Sequence, residues 1–195
     1  MLESATETFT APAAPSLPTS PLAAHAEEVF EATSPYEGEG FRNHCRRLFL
    51  FTEMLLAREG TPLARDLAYA IAMCHDLGIV SRGDTGRTYL ERSRSLFARE
   101  MAGFKLSAAQ DVVDECLIYN HRLLPVPNLS PQADAFRRAV QIEHTHGLLR
   151  FGLPKAPVAA VFAAYPRDNF DRVLLDFTWR TLRHEPLTLV SGIFF

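Results

Sequence analysis

The sequence predicts an all-α, single-domain protein. From residue 22 onward, apolar residues recur at spacings of three and four, which is the repeat of amphipathic helices. Stretches that alternate residue by residue, as half-buried strands do, are nearly absent, and segments rich in Gly, Pro and Ser separate the periodic stretches. At 195 residues, the chain is long enough for one domain with a substantial core. We therefore expect about seven helices packed as one bundle.

The composition is that of an ordinary globular protein, with 47% hydrophobic and 22% charged residues. With a net charge of −3, the chain lacks the basic surface of proteins that bind nucleic acids or anionic membranes. No stretch approaches the ~18 apolar residues that are needed to span a bilayer. The three cysteines form no CxxC pair, which favours a reducing compartment. We expect a cytoplasmic protein that binds neither nucleic acids nor membranes.

The first 21 residues differ from the rest of the chain. Acidic residues stand where a secretory signal would carry positive charge, and no continuous apolar run follows them. The segment TAPAAPSLPTSP, residues 10–21, contains four prolines and no charge. We interpret residues 1–21 as a disordered or loosely attached arm, and residues 22–195 as the helical domain.

The first half of the domain contains three periodic stretches. LAAHAEEVFEAT predicts a short helix that ends in the turn-rich SPYEGEG, and FRNHCRRLFLFTEMLLAREG predicts a long one that ends at Gly60. Thr61 and Pro62 have the residue types of an N-cap and a first helical position, so we expect the third helix to begin there. It runs through LARDLAYAIAMCHDL and ends at Gly78.

The second half begins with the polar loop IVSRGDTGRT and the helical stretch YLERSRSLFAREMAG. Ser107 and Gln110 have the spacing of a capping box, which predicts a helix over AAQDVVDECLIYNHRLL. Ser130 and Pro131 start the next helix, and two more are expected over 155–164 and 168–184. The chain ends in the apolar LTLVSGIFF, which we expect to pack on the domain or on a second subunit.

Several side chains that can bind a metal lie within otherwise apolar helical stretches: His44, His75, Asp76, His121, Glu143, His144 and His146. A divalent ion needs several nitrogen and oxygen donors at ~2.0–2.3 Å, and in a helical protein these come from different packed helices. Each position also has a structural explanation. A histidine at a helix end complements the helix dipole, His44 and His121 can be solvated, and Glu143 can pair with Arg137 or Arg138.

The order of these residues resembles that of the HD-domain superfamily of metal-dependent hydrolases. The resemblance covers residues 22–185 and lies in RNHCRRLFLF, AYAIAMCHDLGI, IYNHRLLP and RRAVQIEHTHGLLRFGLP. It implies an HD-type helical bundle with a central metal site whose ligands are His44, His75, Asp76 and a late acidic residue. The family has aspartate at the last position, where this chain has Glu143. His144, His146 and Asp171 are the alternative donors.

The family also sets the expected chemistry. Residues 21–60 and the stretch RFGLPKAPVAAVFAAYPRDNF are similar to the cyanamide-hydratase-like branch. The resemblance implies one divalent ion (Zn, Fe, Mn or Ni) that activates water, with His121 and Asp76 as catalytic residues. The di-iron oxygenase branch needs two extra histidines between Asp76 and Glu143, and this chain has only His121 there. A hydrolase or hydratase of a small molecule is therefore the leading expectation, and a di-iron oxygenase is disfavoured.

The substrate and the assembly remain open at this stage. Arg82, Arg87 and Arg94 follow the His-Asp pair and suit phosphate or carboxylate oxygens, although a solvated helix face explains them equally well. A phosphohydrolase is therefore an alternative. Because Glu143 stands where the family has aspartate, a non-catalytic ligand-binding domain is a further alternative. Trp179 and the phenylalanine-rich stretches indicate core positions or the interface of a homodimer.

Overall fold

The computed structural model describes residues 16–81, 84 and 86–188. Within these ranges the chain folds into eight α-helices and one 3-10 turn, Leu77–Ile79, and has no strand, which confirms the all-α prediction. The α-helices are α1 Pro21–Thr33, α2 Gly40–Glu59, α3 Arg65–Cys74, α4 Tyr89–Glu100, α5 Gln110–Ile118, α6 Pro131–His144, α7 Lys155–Ala164 and α8 Phe170–His184.

Helix α2 is the centre of the bundle, because it packs against α3, α6, α7 and α8. Its buried residues include Phe41, Leu48, Phe49 and Leu55, and polar residues interrupt this apolar surface at only a few positions. Helix α3 is buried from Leu67 to its end and is covered on its other side by α1. A helix that is apolar on all sides belongs in a core, so the end of α3 lies deep inside the molecule.

Two boundaries predicted from local chemistry, the end of α2 at Gly60 and the start of α6 at Ser130, are confirmed. Ser20 and Ser130 cap α1 and α6, each through a side-chain oxygen that accepts a backbone N–H, and a proline follows each of them. Gly60 ends α2 at a φ of 64°, in the left-handed region that glycine occupies without a steric penalty.

Two predicted helix starts are wrong. Thr61 and Pro62 do not begin α3, because the Thr61 N–H closes the end of α2 by donating to the Leu56 carbonyl, and the helix begins only at Arg65. The Ser107 capping box is absent from the described residues, since α5 begins at Gln110 without a side-chain cap. A capping box forms instead where α4 begins, between Thr88 and Glu91.

The C-terminal region leaves apolar side chains at the surface. Trp179 on α8 is 61% exposed, so it is not a core residue, whereas Phe49, Phe51, Phe170 and Phe177 are buried. The homodimer stays a prediction. Most of the apolar tail and of the N-terminal arm lies outside the described residues. Among the described helices, none combines the length and the apolarity of a membrane span.

Gly78, in the 3-10 turn, allows α4 to pack directly against the end of the His-Asp segment. A Cβ at this position would lie 2.0 Å from the Tyr89 carbonyl oxygen and 2.4 Å from the Ser93 nitrogen, both of them backbone atoms that cannot move away easily. We expect Gly78→Ala to lower the free energy of unfolding by about 1–3 kcal/mol or more.

Urea denaturation, followed by circular dichroism, measures this loss. Gly103→Ala is the matched control, because no atom lies within 4 Å of a Cβ built there. It should change stability by less than about 0.5 kcal/mol. Equal stability of the two variants would contradict the close packing of α4 on Gly78.

Candidate metal centre

Three of the predicted donors meet in the core. His44 Nε2 lies 3.1 Å from His75 Nε2, and Asp76 Oδ2 lies 3.1 Å from His75 Nε2 and 3.7 Å from His44 Nε2. The two imidazoles are fully buried, and Asp76 is nearly so. Residues more than 30 positions apart in the sequence thus bring two nitrogens and one carboxylate oxygen to a single point.

The end of α3 explains how two adjacent side chains reach the same point. The helix ends at Cys74, and Asp76 has left the regular helical conformation, with φ −110° and ψ −1°. The 3-10 turn that follows holds the backbone at this bend. His75 is oriented by its own helix, because its Nδ1 lies 2.7 Å from the Ala72 carbonyl oxygen and donates to it. Its Nε2 therefore faces both His44 Nε2 and the Asp76 carboxylate.

His121 lies on the other side of the Asp76 carboxylate. Its Nε2 is 3.7 Å from Asp76 Oδ1, and its Nδ1 is 3.2 Å from the Tyr89 hydroxyl oxygen. The sequence predicted His121 near the end of a long helix, but α5 ends at Ile118 and His121 lies in the turn that follows. Its side chain is 11% exposed, so it lies between the buried donors and the surface.

Glu143, on α6, contacts His44 through the opposite ring nitrogen. Glu143 Oε2 lies 2.9 Å from His44 Nδ1, although neither atom has a hydrogen bond of regular geometry. The other carboxylate oxygen accepts hydrogen bonds from Arg47 and Arg167, and all three of these distances lie between 2.5 and 3.2 Å. The ion pair proposed for Glu143 with Arg137 or Arg138 is therefore replaced by pairs with Arg47 and Arg167.

Of His144 and His146, only His144 joins the cluster. The four histidine rings are neighbours in a cycle. The centroid distances are 5.1 Å from His44 to His75, 5.7 Å from His75 to His121, 5.7 Å from His121 to His144 and 5.8 Å from His144 to His44. His144 Nε2 is buried and has no hydrogen-bond partner among the described residues. His146 is exposed and lies outside the groups of residues that can hold a metal.

Burial and mutual contacts set the protonation states of these groups. Burial lowers the pKa of His44 to about 4 and that of His121 to about 3, so both rings are neutral at physiological pH. Burial alone would raise the pKa of the Asp76 carboxyl, but His75, His121 and His44 outweigh it and hold the pKa far below its usual range. Burial alone would lower the pKa of His75, but Asp76 and the Ala72 carbonyl outweigh it and raise the pKa. Metal ligation needs a neutral imidazole, so an ion at this site would displace the His75 proton.

The predicted substrate-binding arginines do not join the cluster. Arg87 is exposed, and its backbone N–H donates to the Glu91 carboxylate, whereas Arg94 lies on the surface 3.5 Å from Asp114. Arg82 falls outside the described residues. Asp171, an alternative donor, is mostly exposed and pairs with Arg167.

Four residues that shape the site were not predicted from the sequence. Arg47 and Arg167 bind Glu143, Tyr89 contacts His121, and the Phe170 ring stacks on His44 at a centroid distance of 4.1 Å. Arg47 could have been identified from the sequence, because it follows His44 by one helical turn within a largely apolar stretch. The other three come from distant segments, and nothing local marks them.

The donors fit a metal ion on the geometry alone. Three buried groups bring His44 Nε2, His75 Nε2 and a carboxylate oxygen of Asp76 to one point, and His44, Glu143 and His144 form a second group that could hold a metal ion. Two nitrogens and a carboxylate oxygen are ligands that Zn²⁺ and its first-row neighbours accept. In comparisons with known proteins, no family model matches the chain and no curated protein matches it.

Arg47 balances the buried charge of Glu143, so we expect its loss to be costly. Its side chain is fully buried, and Arg47→Met would also leave the Tyr165 and Pro166 carbonyls without their partner. Removing one member of a buried ion pair typically costs 3–5 kcal/mol, and we expect a loss of about this size in the free energy of unfolding.

Chemical denaturation of Arg47→Met and Arg94→Met provides the comparison. Arg94 is a surface arginine with one long ion pair, so its variant should differ from the parent by less than about 0.5 kcal/mol. The double variant Arg47→Met/Glu143→Gln should recover part of the loss, because the unpaired charge is removed as well. A single variant as stable as the parent would show that Arg47 does not balance Glu143.

Proposed function

We propose that this protein is a metal-dependent hydrolase or hydratase in which His44, His75 and Asp76 hold one divalent ion. The observation that carries the proposal is the convergence of His44 Nε2, His75 Nε2 and Asp76 Oδ2, which are buried and lie 3.1 to 3.7 Å apart. The Ala72 carbonyl keeps a hydrogen on His75 Nδ1, and Glu143 beside His44 Nδ1 favours the same tautomer there. A cation at this point would be bound by the two Nε2 atoms and the carboxylate, in place of the hydrogen bonds that these groups make with one another.

The expected ion is Zn, Fe, Mn or Ni. Imidazole nitrogens suit all four of these metals, whereas Mg²⁺ and Ca²⁺ prefer sites built from oxygen alone. Three protein ligands are also typical of catalytic rather than structural zinc sites, because they leave a coordination position for water or substrate. The site resembles the HD-type arrangement in its chain order, with His44 on one helix and His75 and Asp76 at the end of the next.

When bound, a divalent ion lowers the pKa of a water molecule toward neutrality, so that hydroxide is available near pH 7. The residues of the chain then supply binding and proton transfer. His121 is neutral and its Nε2 faces Asp76 Oδ1, so it can accept or donate one proton at this atom. The Tyr89 hydroxyl lies 3.2 Å from His121 Nδ1 and orients the ring.

The arginines near the cluster bear on the substrate class. Arg47 and Arg167 reach the cluster, but Glu143 already binds both of them. Arg122, next to His121 in the sequence, has two buried guanidinium nitrogens without a hydrogen-bond partner among the described residues. A phosphate ester needs such a cationic partner, whereas an amide or a nitrile does not. The phosphohydrolase is therefore the second candidate function beside the leading hydratase or hydrolase.

Metal content is the first test. Protein purified without chelators is expected to contain about one divalent ion per chain, as a mononuclear site requires. His75→Ala and Asp76→Ala should lose the ion, because each removes one of the three donors. Plasma mass spectrometry measures the content, and His146→Ala, which removes an exposed histidine, is the matched control. A parent protein that neither contains nor takes up any of the four metals would refute the proposal.

His121 is expected to act in turnover rather than in metal binding. His121→Ala should keep the ion and lose at least about 100-fold in rate, the usual contribution of a positioned acid or base. Hydrolysis of panels of amides, nitriles and phosphate esters identifies a substrate, and the variant is then compared with His184→Ala, whose histidine is exposed on α8. Parallel loss of metal and of rate in His121→Ala would instead place this residue among the ligands.

A further inference from the structure

We infer that Glu143 is a positioning residue that holds the His44 imidazole through Nδ1, and not a ligand of the ion. The inference rests on the proposed metal site. It assigns Glu143 a role different from the ligand role that the sequence resemblance implies. The argument depends on which ring nitrogen Glu143 faces, on how its carboxylate is already bound, and on what holds the imidazole in place.

The two sides of the His44 ring face different groups. Nε2 lies within 3.7 Å of both His75 Nε2 and Asp76 Oδ2, whereas Nδ1 lies 2.9 Å from Glu143 Oε2. The two ring nitrogens of an imidazole point in different directions, and a neutral ring has a free lone pair on only one of them, so one ring cannot direct both nitrogens at the same ion. An ion bound with His75 and Asp76 therefore uses Nε2 and leaves Glu143 on the far side of the ring.

The Glu143 carboxylate is also occupied by two guanidinium groups. Oε1 accepts from Arg47 Nε and Nη2 at 3.2 and 2.6 Å, and from Arg167 Nη1 at 2.5 Å. The carboxylate and Arg47 are fully buried, so water does not weaken these pairs. Two cations beside one carboxylate withdraw its charge and make it a poor metal ligand. They also fix its orientation, which is the property that a positioning residue needs.

Oε2 and His44 Nδ1 are the remaining polar atoms of this contact. Both are buried and neither has a regular hydrogen bond among the described residues, although they lie only 2.9 Å apart. Buried polar atoms find partners, and the nearest partner of each atom is the other. A small ring rotation lets Nδ1–H donate to Oε2, which places the lone pair on Nε2, where the ion is proposed.

The surrounding contacts make this orientation rigid. Arg47 Nη1 donates to the carbonyls of Tyr165 and Pro166, so the network connects α2 and α6 to the segment between α7 and α8. On the face of the ring, Phe170 stacks on His44 with an interplanar angle of 12°. The imidazole is therefore restrained at its edge by Glu143 and on its face by α8.

The test compares metal binding by four proteins: the parent, Glu143→Gln, His75→Ala and Glu59→Gln. Glu59 is a partly exposed glutamate that pairs with Arg138, and its variant controls for the loss of a carboxylate outside the site. Each protein is stripped of metal and titrated with Zn²⁺ in competition with a chelator, and then loaded with Co²⁺ for absorption spectroscopy. Nitrogen-15 NMR of the metal-free parent reports the tautomer of His44.

A positioning role predicts that Glu143→Gln still binds one ion, with an affinity lowered about 10- to 100-fold and with the Co²⁺ spectrum of the parent. The NMR spectrum should show the hydrogen of His44 on Nδ1. If Glu143→Gln loses binding to the extent that His75→Ala does, or changes the Co²⁺ spectrum, Glu143 is a ligand and the inference fails. If the parent itself binds no metal, the proposed function has failed instead.

Arg167→Gln provides a second test if Glu143→Gln does not fold. Arg167 contacts Glu143 but is partly exposed, and no contact links it to His44. A positioning role predicts weaker Zn²⁺ binding, by a few fold, because the carboxylate is less well held. A ligand role predicts tighter binding, because the carboxylate loses a competing cation. The two roles thus predict opposite signs for this variant.

Discussion

The burial of ionisable side chains inside an apolar helical core is the constraint on which the rest of this structure depends. His44, His75, Asp76, Arg47 and Glu143 lie where water cannot solvate them, so each needs a partner within the protein. Their mutual contacts supply most of these partners. The exceptions are Asp76 Oδ1, His144 Nε2, and the facing atoms His44 Nδ1 and Glu143 Oε2, which have no regular hydrogen bond among the described residues. These residues belong to the two groups that could hold a metal ion.

Two clusters thus share one histidine. His44 meets His75 and Asp76 on its Nε2 side and Glu143 on its Nδ1 side. The carboxylate of Glu143 is held by two guanidinium groups and connects three separate parts of the chain. Residues on either side could hold a metal ion, and we propose that the ion binds on the Nε2 side and that Glu143 supports it. Replacing a buried ion pair with apolar residues is often neutral or even stabilising, so this network is better explained by what it orients than by what it adds to stability.

The sequence predicts the parts of this molecule that local chemistry controls. Amphipathic spacing identified the helices, and Ser130 with Pro131 placed the start of α6, because capping depends on only a few consecutive residues. Thr61 and Pro62 failed as a helix start because Thr61 takes part in ending α2, a competition that the residue types do not reveal. The close approach of His44 to His75 followed the expectation. The partners of Glu143 did not, since Arg167 lies 24 residues away and only tertiary packing brings it to α6.

Trp179 has a consequence for how the protein can be observed. It is the single tryptophan of the chain, and its indole is 61% exposed on the outer face of α8. Its fluorescence in the native protein therefore resembles that of a solvated indole and changes little when the chain unfolds. The same emission shifts to shorter wavelength when another surface covers α8 and removes water from the ring. The chain thus carries an intrinsic optical reporter of association that is nearly silent toward folding.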